Sequence, residues 1–296
     1  MKKRVVITGL GILASNGKGR EEFWRALKEG VVGYRKISLF DTAPFNVDQA
    51  GEISDFDAKE YMGPKGLRLL DRSTRLLVSS AKLAIADSKF EINEDNADEI
   101  GVAVGTTMGS VKSIADFDEV TLKEGALYTN PGLFPNTVIN SPTSQVSIWC
   151  NIKGFNITIS SGFTASLDAL QYAYDFIRFG RAKLVFAGGV EEMCLQTFFG
   201  FHSLRFLSGS KEGEGFINCP FDKRRNGITL GEGAGLVAME DFEHAVQRKA
   251  DILAEVMAFG YAFDPFRINR YNPRGTGLKK AVKSALDQAG LAITDI

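Results

Sequence analysis

The chain has 296 residues, 44% hydrophobic and 24% charged, with 35 Lys and Arg against 36 Asp and Glu. This composition excludes a disordered or collagen-like chain, and a net charge of −1 leaves no global basic field for nucleic acid or an anionic membrane. The length admits one large domain or two ordinary ones. Three cysteines without C-x-x-C spacing (Cys150, Cys194, Cys219) support neither a disulfide framework nor a metal site, so a reduced, cytoplasmic setting without metal or cofactor is expected.

The N-terminus carries Lys2, Lys3 and Arg4 ahead of an apolar stretch. A signal peptide is one reading. A buried first strand over 5–8, turning at Gly9-Leu10-Gly11, is the better one, because two glycines interrupt the apolar run. No uninterrupted run approaches the roughly 18 residues of a membrane span. Further strands are predicted over 100–105, 155–159, 184–187, 234–240 and 252–261. Helices are predicted over 21–28, 73–88, 165–179, 242–248 and 277–289, with Asp71 and Ser73 as candidate caps of the second. Short apolar runs alternating with helical patterns predict an α/β fold with a largely parallel sheet. Glycine-rich turns are expected after the strands, at Gly105, Gly109, Gly188-Gly189 and Gly231-Glu232-Gly233-Ala234-Gly235. Asp116, Asp118 and Glu119 read as an exposed acidic helix face or loop.

A weak internal repeat is present. The helix at 76–87 carries Ala81, Ala84, Ile85 and Asp87, then reaches Phe90 and Ile92. The helix at 278–287 carries Ala281, Ala285, Leu286 and Asp287, then reaches Leu291 and Ile293. Duplication is one explanation. The common amphipathic pattern of helices is the other.

Pro220-Phe221-Asp222-Lys223-Arg224-Arg225-Asn226-Gly227, followed by Leu230-Gly231-Glu232-Gly233-Ala234-Gly235, resembles the PFDxxRDGFxxGEGAG signature of β-ketoacyl-acyl-carrier-protein synthases, with Asn226 in place of the usual Asp. The opening strand with Gly9 and Gly11, the segment Phe134-Pro135-Asn136-Thr137, the turn Ala187-Gly188-Gly189-Val190-Glu191 and the pair Glu240 and His244 continue the pattern in order. The likeness is closest to the synthase II type. It implies a thiolase-like layered α-β-α-β-α fold. The N-terminal half would be complete over 1–250, and the C-terminal half begun and cut short over 251–296. It also implies a dimer, acyl-carrier-protein substrates and a Claisen-type condensation. In that chemistry a cysteine at a strand-to-helix turn takes the acyl group, and two histidines assist decarboxylation. A helix N-terminus there lowers the thiol pKa, and its amides can bind an oxyanion.

The chain departs from this resemblance at the chemistry. The family's T-A-C-x-S-G stands here as Ser161-Gly162-Phe163-Thr164-Ala165-Ser166, which puts Phe163 at the nucleophile position. Phenylalanine forms no thioester. Ser160, Ser161 and Ser166 are nearby hydroxyls, but a serine nucleophile needs a base in reach, and neither His202 nor His244 matches a catalytic histidine of the family. The NAHGT motif would follow just after Asp295-Ile296. The resemblance places Met108 and Phe134 as candidate lining of an acyl tunnel. Ordinary core positions are the alternative for both.

Three readings follow. The first is a non-catalytic, chain-length-factor-like partner that dimerises with a cysteine-bearing ketosynthase and meets acyl carrier protein. The second is a subunit of a split condensing enzyme. The third is an inactive fragment.

Overall fold

The computed structural model describes residues 2–266 and 272–296. In chain order the strands are β1 (Val5–Ala14), β2 (Gly17–Lys18), β3 (Arg35–Lys36), β4 (Gln49–Ala50), β5 (Ile100–Gly105), β6 (Asn156–Ile159), β7 (Leu184–Glu191), β8 (Gly233–Asp241) and β9 (Ala254–Val256). The helices are α1 (Arg20–Glu29), α2 (Lys59–Met62), α3 (Arg72–Ser88), α4 (Val111–Glu124), α5 (Ser141–Cys150), α6 (Ala165–Arg178), α7 (Leu195–Ser203), α8 (Phe242–Gln247) and α9 (Thr276–Ala289).

The main sheet runs β2-β1-β8-β7-β5-β6, with β9 beside β1. The expectation of a largely parallel sheet is corrected: only β5–β6 and β5–β7 are parallel, while β7–β8, β8–β1, β1–β9 and β1–β2 are antiparallel. Between β7 and β8 the chain runs through α7 and then the long irregular segment 204–232, and β8 returns alongside β7 in the opposite sense. Three of the expected glycine turns are strand instead. Gly9-Leu10-Gly11 lies inside β1, which runs on to Ala14 paired with β8, Gly188-Gly189 lies inside β7, and Gly233 to Gly235 opens β8. The strand expected over 252–261 shortens to β9, which lies against β1 over Val5 to Ile7.

The strand period of two sorts the core. Ile100, Val102 and Val104 of β5, with Leu184 and Phe186 of β7, join Leu76, Leu77, Ala81 and Ala84 of α3. The intervening Ala103, Val185 and Ala187 join Ala169, Ala173 and Ile177 of α6. The sheet is therefore sandwiched between α3 and α5 on one face and α6 on the other. Asp71 is the cap of α3, accepting from the Thr74 amide at 2.8 Å. The Ser73 hydroxyl is buried with no hydrogen-bond partner.

Two junctions share one geometry. A Cβ added at Gly11 would lie 1.9 Å from the Ser80 carbonyl and 2.6 Å from the Ala84 amide, and one at Gly260 would lie 1.9 Å from the Ala281 carbonyl and 2.7 Å from the Ala285 amide. Only a residue without Cβ lets a helix ride so close on the chain beside it. One residue before each glycine, a side chain from the same helical position holds the backbone. Asp87 accepts the Leu10 amide at 2.8 Å, and Gln288 donates to the Phe259 carbonyl at 3.0 Å. The weak repeat therefore has a structural counterpart, in which Ala84 and Ala285 keep their correspondence while two other pairs move by one residue: Ser80 corresponds to Ala281, and Asp87 to Gln288.

Candidate functional site at the turn between β6 and α6

The turn from β6 into α6 consists of Ser160, Ser161, Gly162, Phe163 and Thr164. Gly162 has φ +90°, a conformation other residues rarely adopt. A Cβ on Gly105, at the end of β5, would lie 2.2 Å from the Ala165 carbonyl carbon, so the bare backbone there lets the first turn of α6 rest on the strand end. Thr107 ties the turn down from the neighbouring loop: its hydroxyl donates to the Gly162 carbonyl at 3.1 Å, and its carbonyl accepts from Ser160 at 3.3 Å. The loop is held in turn by Glu191 at the end of β7, which accepts from the Thr106 hydroxyl at 3.0 Å and from the Thr107 amide.

Phe163 stands at the top of this turn, 74% exposed, with its ring 6.1 Å from that of Phe201 in α7. Asp168, in the first turn of α6, accepts from the hydroxyls of Ser161 and Thr164. An acid there complements the positive end of the helix, typically by 0.3–1 kcal/mol, and it engages the hydroxyls that would otherwise be free. The turn opens into a cavity of about 460 Å³ lined by Phe163, Gly105, Gly188, Gly189, Leu170 and Glu191 among others.

The structure keeps other reactive side chains away from this cavity. Among its lining residues there is no histidine or cysteine. His202 bonds Asn46 at 2.7 Å and stacks on Phe198. His244 lies 2.6 Å from buried Glu240, which also pairs with Arg248. Cys150 and Cys194 are buried, Cys219 is half-buried, and burial pushes the Cys150 thiol up to about 11. Met108 follows β5 and is 41% exposed; Phe134 is 58% exposed with its ring 6.0 Å from Phe117. Neither lines the cavity at the turn. Asp116 and Glu119 lie on α4, paired with Lys112 and Lys123.

A buried acidic group was not singled out from the sequence. Glu232 accepts from Arg72 through both carboxylate oxygens, and from the amides of Ile53 and Met193. Glu192 is buried beside Asp71 and accepts from the amides of Ser73 and Lys112. Its carboxyl is pushed up to about 7, first by burial and then by the Asp71 charge. The available signal was the doublet Glu191-Glu192 directly after an apolar strand, since acids at a buried strand end need dedicated partners. Among the described residues, no helix is long and apolar enough to cross a membrane.

Known proteins share this architecture. The description "Beta-ketoacyl synthase, N-terminal domain" matches residues 2–245. The 3-oxoacyl-[acyl-carrier-protein] synthase 2 of Vibrio cholerae is 34% identical over 98% of this chain and 70% of its own length. The enzyme of the same name from Coxiella burnetii is 35% identical over 98% of this chain and 70% of its own length. Among solved structures, the ishigamide ketosynthase/chain length factor superposes with a TM-score of 0.89 at 30% identity, covering all of this chain and 72% of that one. A β-ketoacyl synthase from Burkholderia phymatum superposes at 0.84 with 28% identity, over 98% of this chain and 71% of that one. The layered thiolase-like fold expected from the motifs is the fold of this chain. The chain belongs to the β-ketoacyl synthase family, as a homologue of the ketosynthases of fatty-acid and polyketide synthesis that spans about 70% of these relatives' length.

Proposed function

We propose that this chain is a non-catalytic member of a condensing complex, which pairs in the cytoplasm with a cysteine-bearing ketosynthase and meets acyl carrier protein as part of that pair. One observation carries the reading: the side chain presented at the strand-to-helix turn is Phe163. A benzyl group offers no lone pair for acyl transfer and no proton for a base to remove. The ketosynthase/chain length factor likeness supports the pairing. So does a solved type II polyketide synthase acyl-carrier protein in complex with its ketosynthase, with a TM-score of 0.88 at 25% identity. In this reading residues 1–250 form one thiolase-like half, residues 251–296 open the second, and Met108 and Phe134 face an acyl tunnel at the pair's interface. No metal or cofactor enters.

Phe163→Cys tests the claim that more than the thiol is missing. The new thiol would sit at the N-terminus of α6, where the helix lowers its pKa, and should be alkylated by iodoacetamide faster than buried Cys150. The variant alone should still give no condensation product from acyl- and malonyl-carrier protein, because His202 and His244 are engaged elsewhere. Turnover by the variant alone would overturn the reading.

A second reading, one subunit of a split condensing enzyme, is favoured by the open side of α9, where Leu278, Val282, Leu286 and Ile293 line a shallow cavity of about 540 Å³.

A further inference from the structure

We propose that Glu192 is a pH-responsive clasp: its carboxyl ties the N-terminus of α4 to that of α3, and raising the pH through neutrality loosens α4 from the cavity it walls. This goes beyond the condensing-partner reading and does not depend on it.

The geometry is that of one carboxyl shared by two helices. Glu192 accepts from the Ser73 amide in the first turn of α3 at 3.1 Å and from the Lys112 amide in the first turn of α4 at 3.4 Å. Asp71 adds a second strap, accepting from the Thr74 amide of α3 at 2.8 Å and from the Ser113 hydroxyl of α4 at 3.2 Å. The two helices depend on these straps unequally. α3 has Asp71 as its own cap and buries ten of its residues. α4 buries none, and its cap residue Ser110 makes no side-chain cap bond; the Ser110 hydroxyl is buried without a partner. First-turn amides need an acceptor from outside the helix. For α4 that acceptor comes from Glu192, so α4 is the element that moves when the clasp weakens. Lys112, Ser113, Phe117 and Val120 of α4 wall a cavity of about 760 Å³, so the motion widens it.

Burial fixes the direction, and the groups around Glu192 adjust it. Asp71 faces it and also opposes ionisation. The Ser73 and Lys112 amides favour ionisation, as does Arg72, whose guanidinium is already committed to Glu232. Glu52 lies beyond Arg72, bonded to Ser38 and Leu39. The Lys112 ammonium turns away to Asp116 at 2.5 Å, and Glu191 turns to Thr106 and Thr107. The closed form therefore holds its proton to about 7 rather than the ordinary 4.5. An open form that lets water reach the carboxyl titrates near the ordinary value. The stability that the proton gives the closed form is full below the ordinary value and is lost as pH rises to about 7. Linkage then raises the ratio of open to closed about tenfold between pH 6 and pH 8.

Hydrogen exchange of the full chain tests this, with rates corrected for the intrinsic effect of pH. Protection of the first-turn amides of α4 should fall about tenfold from pH 6 to pH 8, while the amides of α3 keep theirs. In Glu192→Gln the α4 protection should be flat over the same range. Equal α4 protection at the two pH values in the unaltered chain, or the same fall in Glu192→Gln, would overturn the proposal. If that variant does not fold, Asp71→Asn serves instead, since Asn also caps helices. Removing the neighbouring charge should move the midpoint of the fall to lower pH, and an unmoved midpoint would overturn the clasp.

Discussion

The junctions at Gly11 and Gly260 are built alike and end in opposite environments. In both, a helix presses its carbonyl and amide against a glycine, with 1.9 Å between the carbonyl and where a Cβ would stand. Around Gly11, α3 buries Leu76, Leu77, Ala81 and Ala84 completely against the sheet. Around Gly260, α9 buries no residue. Local sequence thus fixes how a helix seats on the neighbouring chain. How much water the helix excludes depends on the layers that pack over it, and these come from other parts of the chain.

The largest contrast expected is at the ion pairs. Arg72, at the start of α3, holds a fully buried Glu232, so Arg72→Ala leaves an uncompensated charge in the core and should cost about 3–5 kcal/mol. Lys283→Ala on α9 breaks an exposed pair with Asp287 and should cost under about 1 kcal/mol. Urea unfolding of both variants checks this, and equal losses would break the comparison.

The next contrast is hydrophobic. Leu77 and Leu278 occupy corresponding positions, at 0% and 73% exposed. Leu77→Ala should lose about 2–5 kcal/mol through transfer and cavity effects, and Leu278→Ala should stay within about 0.5 kcal/mol. A large loss at Leu278 would mean that α9 is covered by a partner or a second copy in solution.

Much of this was legible beforehand where the physics is local. The strand β5 reads directly from Ile100-Gly101-Val102-Ala103-Val104-Gly105, and α3 and α6 read from their helical spacing of apolar residues. The turn carrying Phe163 was legible from the glycine and hydroxyl residues between a strand pattern and a helix pattern. The helix α5 was not, because Ser141-Pro142-Thr143-Ser144-Gln145 lacks an apolar stripe and is rich in residues that favour caps and turns. Nor was α4, although Val111, Ile114, Phe117 and Val120 recur at three-residue spacing, because these are interleaved with Lys112, Asp116, Asp118 and Glu119 on a helix that buries no residue. The antiparallel course of β8 depends on which strand it returns to, and its own pattern does not encode this. The acidic cluster was illegible for the same reason: Glu192 meets Ser73 and Lys112 across separations of 119 and 80 residues.

The most direct measurement is native mass spectrometry of the tagged chain purified from its own host. The account predicts a complex with a second subunit that bears the active-site cysteine and both histidines. Recovery of the chain alone, as a monomer or a homodimer, would contradict it.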